Sequence, residues 1–165
     1  DERERLRLQV LAGAYRLIDR RSSADYYPGE NVVHIMATGA MVPEAITASN
    51  SLMTEGILAN VINVTGPGPL YSSFQASVKA SMEARGQSGR FMSDILPTSE
   101  RKAPIVTVAD AHPHSLAWIG GAVGCAVMPL GVSEFGQSGN REDLYREYGI
   151  DVDSIVAACF TALEI

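Results

Sequence analysis

Short apolar runs that alternate with helix-like segments constrain the fold of this chain more than any other feature. Four runs rich in β-branched and other apolar residues are typical of strands buried on both faces: residues 31–37, 58–64, 104–109 and 124–132. Segments with helical character follow them: residues 42–55, 115–123, 141–148 and 152–163. The alternation predicts a three-layer α/β/α sandwich around a mostly parallel sheet.

Two stretches are harder to interpret from periodicity. Residues 4–17 carry apolar side chains at roughly helical spacing, but Gly13 interrupts them, and residues 12–18 fit a strand equally well. Residues 65–69 (TGPGP) predict a rigid loop, because prolines lack the N–H donors of a phosphate-binding loop. A helix is expected over residues 77–85 and a loop over residues 86–90 (GQSGR).

Charge and length exclude several classes of protein. The 165 residues suit one domain, and a net charge of −6 argues against a nucleic-acid partner. The one dense basic cluster, Arg16, Arg20 and Arg21, is expected to be a solvated segment end. No apolar run approaches the ~20 residues of a membrane helix. The charged start without an initiator Met resembles neither a signal nor a transit peptide, and indicates a piece of a longer chain.

Both cysteines, Cys125 and Cys159, stand in apolar runs without metal-ligand spacing. They are expected to be buried small side chains in a reducing compartment, so a cytoplasmic location is predicted.

Candidate functional residues follow the predicted strands, because ligands of open α/β sheets bind at the carboxyl ends of strands. They are Thr38, Asp110, His112, His114, Phe135, Gln137, Ser138 and Arg141. The two histidines could act as acid, base or metal ligands, but an extended segment would send them to opposite sides. We therefore expect these loops to face other domains. Ser138 or Asn140 is expected to cap the helix that begins near residue 141, and Asp151 is expected to cap the last helix.

An ordered set of segments resembles the C-terminal domain of the transketolase group of thiamine-diphosphate enzymes. The matching segments are VHIMATGAMVPEAITA at residues 33–48, residues 60–65 and 105–119, and FGQSGNREDLYREYGID at residues 135–151. Within the group, the last segment and QVLAGAYRL near the start look most like the homodimeric bacterial pyruvate dehydrogenase decarboxylating component. Residues 67–96 depart from transketolase.

The resemblance implies five strands with one antiparallel, which makes residues 12–18 a strand. It divides the chain into a lead-in at residues 1–30 and a C-terminal-like domain at residues 31–165. It places thiamine diphosphate and Mg²⁺ in other domains, since no Gly-Asp-Gly motif occurs here. The implied partners are the preceding domains, a second subunit of a homodimer and a lipoyl acyltransferase component. The domain is expected to be structural, with no catalytic residue and no metal of its own.

Three alternatives remain open at this point. The chain could be the C-terminal domain of a true transketolase. It could be a free-standing module that binds a small anion at the strand-end loops. It could also be a small hydrolase or metal-dependent enzyme that uses His112 and His114.

Overall fold

The computed structural model describes residues 1–86 and 91–165, which form a five-stranded sheet between two layers of helices. The strands are Tyr15–Ile18 (β1), Val32–Thr38 (β2), Leu58–Val64 (β3), Ile105–Val108 (β4) and Val127–Leu130 (β5). The helices are Glu2–Ala12 (α1), Val42–Thr54 (α2), Pro67–Glu83 (α3), His114–Val123 (α4), Arg141–Glu147 (α5) and Val152–Leu163 (α6). Short 3₁₀ turns cover Gly39–Met41 and Thr98–Glu100.

The strand order is β1-β3-β2-β4-β5, and the predicted α/β/α architecture is confirmed. Strands β2 to β5 pair in parallel, whereas β1 runs antiparallel along β3. Strand β5 forms the other edge, with Pro129 opposite Thr107. The central strands are buried on both faces, as their continuous apolar runs predict.

Each face of the sheet is covered by its own hydrophobic cluster. On one face, Val33 and Ile35 of β2 pack with buried side chains of α2 and α6, such as Leu52 and Ile155. On the other face, the cluster contains Met36 of β2 and buried side chains of β3, α3 and α4. The alternation of side chains along each strand divides the core in this way.

The helix and the strand that both fitted the start of the chain are present, one after the other. Helix α1 ends at Gly13, which has φ +108°, and β1 begins two residues later. A Cβ on Gly13 would lie 2.5 Å from the backbone N of Leu70, so glycine is required for this close approach. The helical spacing and the strand composition therefore describe adjacent elements.

The rigid loop predicted for residues 65–69 is wrong, because α3 begins at Pro67 and runs to Glu83. Proline is tolerated in a first helical turn, where the backbone N–H has no partner within the helix. The first bonded amide is that of Leu70, which donates to the Gly66 carbonyl at 3.1 Å. The helix predicted at residues 77–85 is thus only the second half of a longer one. Of the loop predicted at 86–90, residues 87–90 lie outside the described residues.

Strand β5 is shorter than predicted. Gly124, at φ +77°, ends α4, and Gly131 lies against the Ala111 carbonyl, 2.4 Å from the position of an added Cβ. Gly124 thus lies three positions before β5, and Gly131 follows it directly.

No helix in residues 1–86 and 91–165 combines the length and apolar character needed to span a membrane.

Candidate functional site

A cleft of about 570 Å³ opens beside the carboxyl ends of β4 and β5, and we call it the carboxyl-edge cleft. Asp110 lies two residues after the end of β4, and the segment after β5 passes over the same edge. Its lining residues are Asp110, Ala111, Val132, Gly136, Gln137, Gly139, Arg141, Leu144, Tyr145, Tyr148 and Ile150. This is the position at which open α/β sheets bind ligands.

The loop between β5 and α5 is held by the Tyr148 side chain. The Gln137 amide donates to the Tyr148 hydroxyl at 2.8 Å, and that hydroxyl donates to the Phe135 carbonyl at 3.4 Å. At the base of the loop, the Val132 amide donates to the Ala111 carbonyl at 2.8 Å. These bonds fix the loop backbone and leave the Phe135 side chain 96% exposed.

The carboxyl-edge cleft is lined by one positively charged and one negatively charged side chain, Arg141 and Asp110. Asn140 caps α5 by accepting from the Asp143 amide at 2.9 Å, and Arg141 in the first turn lies 5.9 Å over the Tyr145 ring. Asp110 supplies the carboxylate. No pair of lining residues forms a hydrogen-bonded nucleophile and base in the described structure, so the cleft suits polar contact more than covalent chemistry.

The predicted site residues divide into two groups. Asp110, Gln137 and Arg141 line the carboxyl-edge cleft. The others do not line it: Thr38, His112, His114, Phe135 and Ser138. Thr38 is half-buried at the end of β2, and Ser138 is exposed. Tyr145 and Tyr148 also line the cleft and were not predicted, although their spacing of three positions is that of residues on one face of a helix.

His112 and His114 lie together, because the segment that carries them is not extended. Their ring centroids are 5.2 Å apart, and the His114 amide donates to His112 Nδ1 at 3.2 Å. Pro113 precedes α4 in a helical conformation, which turns the chain between the two histidines. Both side chains are exposed.

A buried polar network near β1 was not predicted from the sequence, and we call it the Glu100 network. The Glu100 carboxylate forms an ion pair with Arg16 and accepts from the Tyr26 hydroxyl at 3.0 Å. Asn60 donates to the Tyr26 hydroxyl at 2.9 Å and lies 3.3 Å from His34 Nδ1. The signal in the sequence is the presence of His34 and Asn60 in otherwise apolar strands.

Burial sets the protonation states in this network. It lowers the pKa of His34 to about 4, with the nearby Arg16 charge acting in the same direction. It also raises the pKa of Tyr26 to about 12. Neutral His34 then carries its proton on Nε2, facing the Glu100 carbonyl at 3.3 Å, and Nδ1 accepts from Asn60.

Arg16 is not a solvated residue, as its basic cluster had suggested. Its side chain is 8% exposed, and it also donates to the Ile95 carbonyl through Nη2 at 2.6 Å. The network also reaches the surface at Arg21, whose Nε lies 3.7 Å from the Glu100 carboxylate. Its contacts fix β1 and residues 95–100 to the sheet.

Within residues 1–86 and 91–165, no group of three His, Cys, Asp or Glu side chains is placed to hold a metal ion.

Comparisons with known proteins agree on one family. The family model described as "Transketolase-like TK C-terminal domain" matches residues 13–151. The transketolase of Mycobacterium tuberculosis is 28% identical over 158 residues, which are 94% of this chain and 19% of that enzyme. The transketolase of Halalkalibacterium halodurans is 27% identical over 155 residues, with the same coverage of 94% and 19%. The chain spans about a fifth of the length of these curated relatives.

Solved structures show the same fold. The transketolase from Leishmania mexicana superimposes with a TM-score of 0.63 at 23% identity, covering 95% of this chain and 19% of that one. A split-gene transketolase described as an inactive beta4 tetramer gives a TM-score of 0.58 at 21% identity, covering 89% of this chain and 47% of that one.

Proposed function

Because this chain belongs to the family of transketolase-like C-terminal domains, we propose that it is the non-catalytic C-terminal domain of a thiamine-diphosphate enzyme of the transketolase type. The observation that carries the proposal is the family match over residues 13–151. The cofactor would supply the carbanion chemistry in other domains, together with Mg²⁺. We assign no step of the reaction to this chain.

The proposed role is contact with the preceding domain and with a second subunit. The carboxyl-edge cleft supports this role, because Asp110 and Arg141 offer opposite charges at its surface. The exposed Phe135 on its braced loop adds an apolar anchor. In this proposal residues 1–30 are a lead-in that carries β1, residues 31–165 form the rest of the domain, and the enzyme is cytoplasmic.

The curated relatives favour a transketolase over a pyruvate dehydrogenase component, because those at 27–28% identity are transketolases. The second candidate rests on residues 135–151, whose sequence resembles the decarboxylating component. In that case the whole enzyme would decarboxylate a 2-oxo acid and pass the acyl group to a lipoyl acyltransferase.

Calorimetric titration of this chain with thiamine diphosphate and Mg²⁺ tests the assignment of a non-catalytic domain. We expect no heat of binding. Micromolar affinity, about −8 kcal/mol, would contradict it and place the cofactor here. A thermal shift with phosphate or a nucleotide, abolished by Arg141→Ala, would instead favour the free-standing anion-binding module.

Activity of the polypeptide that carries this chain separates the two candidates. We expect transfer of a two-carbon unit between a ketose phosphate and an aldose phosphate when thiamine diphosphate is present. Decarboxylation of pyruvate with acetylation of a lipoyl domain, and no sugar-phosphate transfer, would support the second candidate.

A further inference from the structure

The carboxyl-edge cleft holds two opposite charges that do not pair with each other. Asp110 and Arg141 both line it, yet neither forms an ion pair within residues 1–86 and 91–165. Arg146, at the other end of α5, is by contrast paired with Asp143 at 3.7 Å. A carboxylate and a guanidinium that share a cleft without meeting are both available to a molecule that lies between them.

The rest of the lining suits a small apolar group. Val132, Leu144 and Ile150 contribute aliphatic side chains to the cleft. Ile150 is fully buried and the other two are half-buried, so together they form an apolar floor. The volume of about 570 Å³ lies within the range of roughly 300–1,000 Å³ that is usual for small-molecule sites.

Charge and floor together define the class of ligand. A simple anion such as phosphate is attracted by Arg141 and repelled by Asp110, and a simple cation meets the reverse pair of forces. A zwitterion is attracted by both side chains. Among zwitterions, an α-amino acid with an apolar side chain also supplies the group that the floor accepts.

We propose that the carboxyl-edge cleft binds a free α-amino acid with an apolar side chain. Arg141 binds the carboxylate of the ligand and Asp110 accepts from its ammonium group. The apolar side chain of the ligand lies on the floor of the cleft. Gln137, which also lines the cleft, offers an amide for a further hydrogen bond.

The ligand lies on the inner side of the loop between β5 and α5. Gln137 within the loop and Arg141 just after it line the cleft, whereas Phe135 does not line it and is 96% exposed. Phe135 therefore stays available to another domain when the cleft is occupied. Because binding needs only the residues of this chain, the inference goes beyond the proposed function and does not depend on it.

Calorimetric titration of the 165-residue chain with L-leucine tests the proposal. Two matched compounds are 4-methylpentanoate, which lacks the ammonium group, and 3-methylbutylamine, which lacks the carboxylate. We expect saturable binding of leucine, and binding of each analogue at least about tenfold more weakly, because each leaves one charge of the cleft without its partner.

Three results would overturn the proposal. The first is the absence of binding by leucine, valine and phenylalanine alike. The second is equal affinity for leucine and its two analogues, which would show that the charges do not recognise the ligand. The third is tighter binding of inorganic phosphate than of any amino acid, which would identify a simple anion site.

Two substitutions assign the charges. Asp110→Asn is expected to remove the preference for leucine over 4-methylpentanoate, and Arg141→Gln the preference for leucine over 3-methylbutylamine. Arg146→Gln, exposed and outside the cleft, is the matched control and should keep both preferences. A general loss of structure would weaken all three compounds alike, so the change of preference isolates the charge. Unchanged preferences in both cleft variants would also overturn the proposal.

Discussion

At the scale of single residues, Glu100 contacts residues of β1, of β2 and of the segment between them. Its carboxylate contacts Arg16 of β1 and Tyr26 of the following loop, while its carbonyl faces His34 of β2. These partners are 66 to 84 positions away in sequence. A buried pair of this kind contributes little when complete but is costly when one partner is removed.

Glu100→Gln should lower the free energy of unfolding by about 3 kcal/mol, because it leaves the Arg16 charge buried without its main counter-ion. Urea denaturation monitored by circular dichroism measures the change. Glu30→Gln, at an exposed position, should shift the value by less than about 0.5 kcal/mol. Equal effects of the two substitutions would show that the ion pair is not needed for stability.

Acid should destabilise the fold through His34. Its pKa is about 4 in the folded chain against 6.5 ordinarily, so the unfolded state takes up the proton first as pH falls. The contribution of neutral His34 to the free energy of unfolding is fully present above pH 6.5. It is lost as pH falls towards 4, at up to about 1.4 kcal/mol per pH unit.

Urea midpoints at pH 7, 6 and 5 measure how stability depends on pH. His34→Gln is expected to weaken this dependence. His112→Gln, at an exposed position, is expected to leave it unchanged. Arg21 holds the pKa of Asp19 below the usual 3.8. The stability that Asp19 contributes is therefore lost at a lower pH than the stability that His34 contributes, and the two effects do not overlap. An unchanged slope in His34→Gln would contradict the assignment.

Single-residue predictions from sequence succeed where the partner is local. The caps at Asn140 and Asp151 are confirmed, since each accepts from the amide three residues later. The same reasoning assigned Arg16 to solvent, because its counter-ion lies far away in sequence. Composition near a residue carries no information about such a partner.

At the scale of elements, the junction of α1, β1 and α3 depends on a close backbone contact. Gly13 lies against Gly66 and Leu70, and its amide donates to the carbonyls of Gln9 and Val10 to end α1. The contact brings the lead-in segment onto the start of α3. It explains how a short antiparallel strand is held at the edge of a parallel sheet.

Gly13→Ala should destabilise the chain by about 2 kcal/mol or more, because the new Cβ meets backbone atoms and φ is +108°. Gly121→Ala within α4 meets nothing within 4 Å and should be neutral or stabilising by up to about 1 kcal/mol. Thermal unfolding by calorimetry compares the two. A Gly13→Ala protein as stable as Gly121→Ala would exclude a tight contact at this junction.

The boundaries of the elements could be predicted where the periodicity was clear. The prediction was wrong where prolines stand in the first turn of a helix. Strands β2 and β3 match their apolar runs closely. The start of α3 at Pro67 was missed, because two prolines and a glycine resemble a loop locally and only packing against Gly13 makes the helix turn favourable.

At the scale of the whole molecule, the two large hydrophobic clusters lie on opposite faces of one sheet, and each contains or contacts one cysteine. Cys159 is fully buried between α6 and the sheet, and burial raises the pKa of its thiol to about 12. Cys125 is half-buried and donates to the Arg101 carbonyl. The two thiols therefore report on different parts of the structure.

A thiol reagent at pH 8 should label Cys125 at least tenfold faster than Cys159, because Cys159 reacts only through global unfolding. In 6 M guanidinium chloride the two rates should become equal. Mass spectrometry of the labelled peptides gives both rates, and Cys125→Ser isolates the slow one. Rapid labelling of Cys159 in the native chain would show that α6 opens independently.

The fold class could be predicted from the order of the elements, and the resemblance supplied the antiparallel β1 that periodicity left open. Three of the residues singled out from the sequence, Asp110, Gln137 and Arg141, line the carboxyl-edge cleft. Tyr145 of α5 and Tyr148 just after it also line the cleft and could not be predicted, because their position depends on how α5 packs. The exposure of α1 depends on tertiary placement and was not predicted.

Pro129 determines how copies of this domain can meet. The Ala126 and Leu130 carbonyls face β4, so by alternation the backbone of Pro129 faces outward, where it has no hydrogen to donate. A further strand added beside β5 would meet an acceptor with no matching donor. Crowded chains, during synthesis or at high concentration, are thereby discouraged from extending the sheet at the β5 edge.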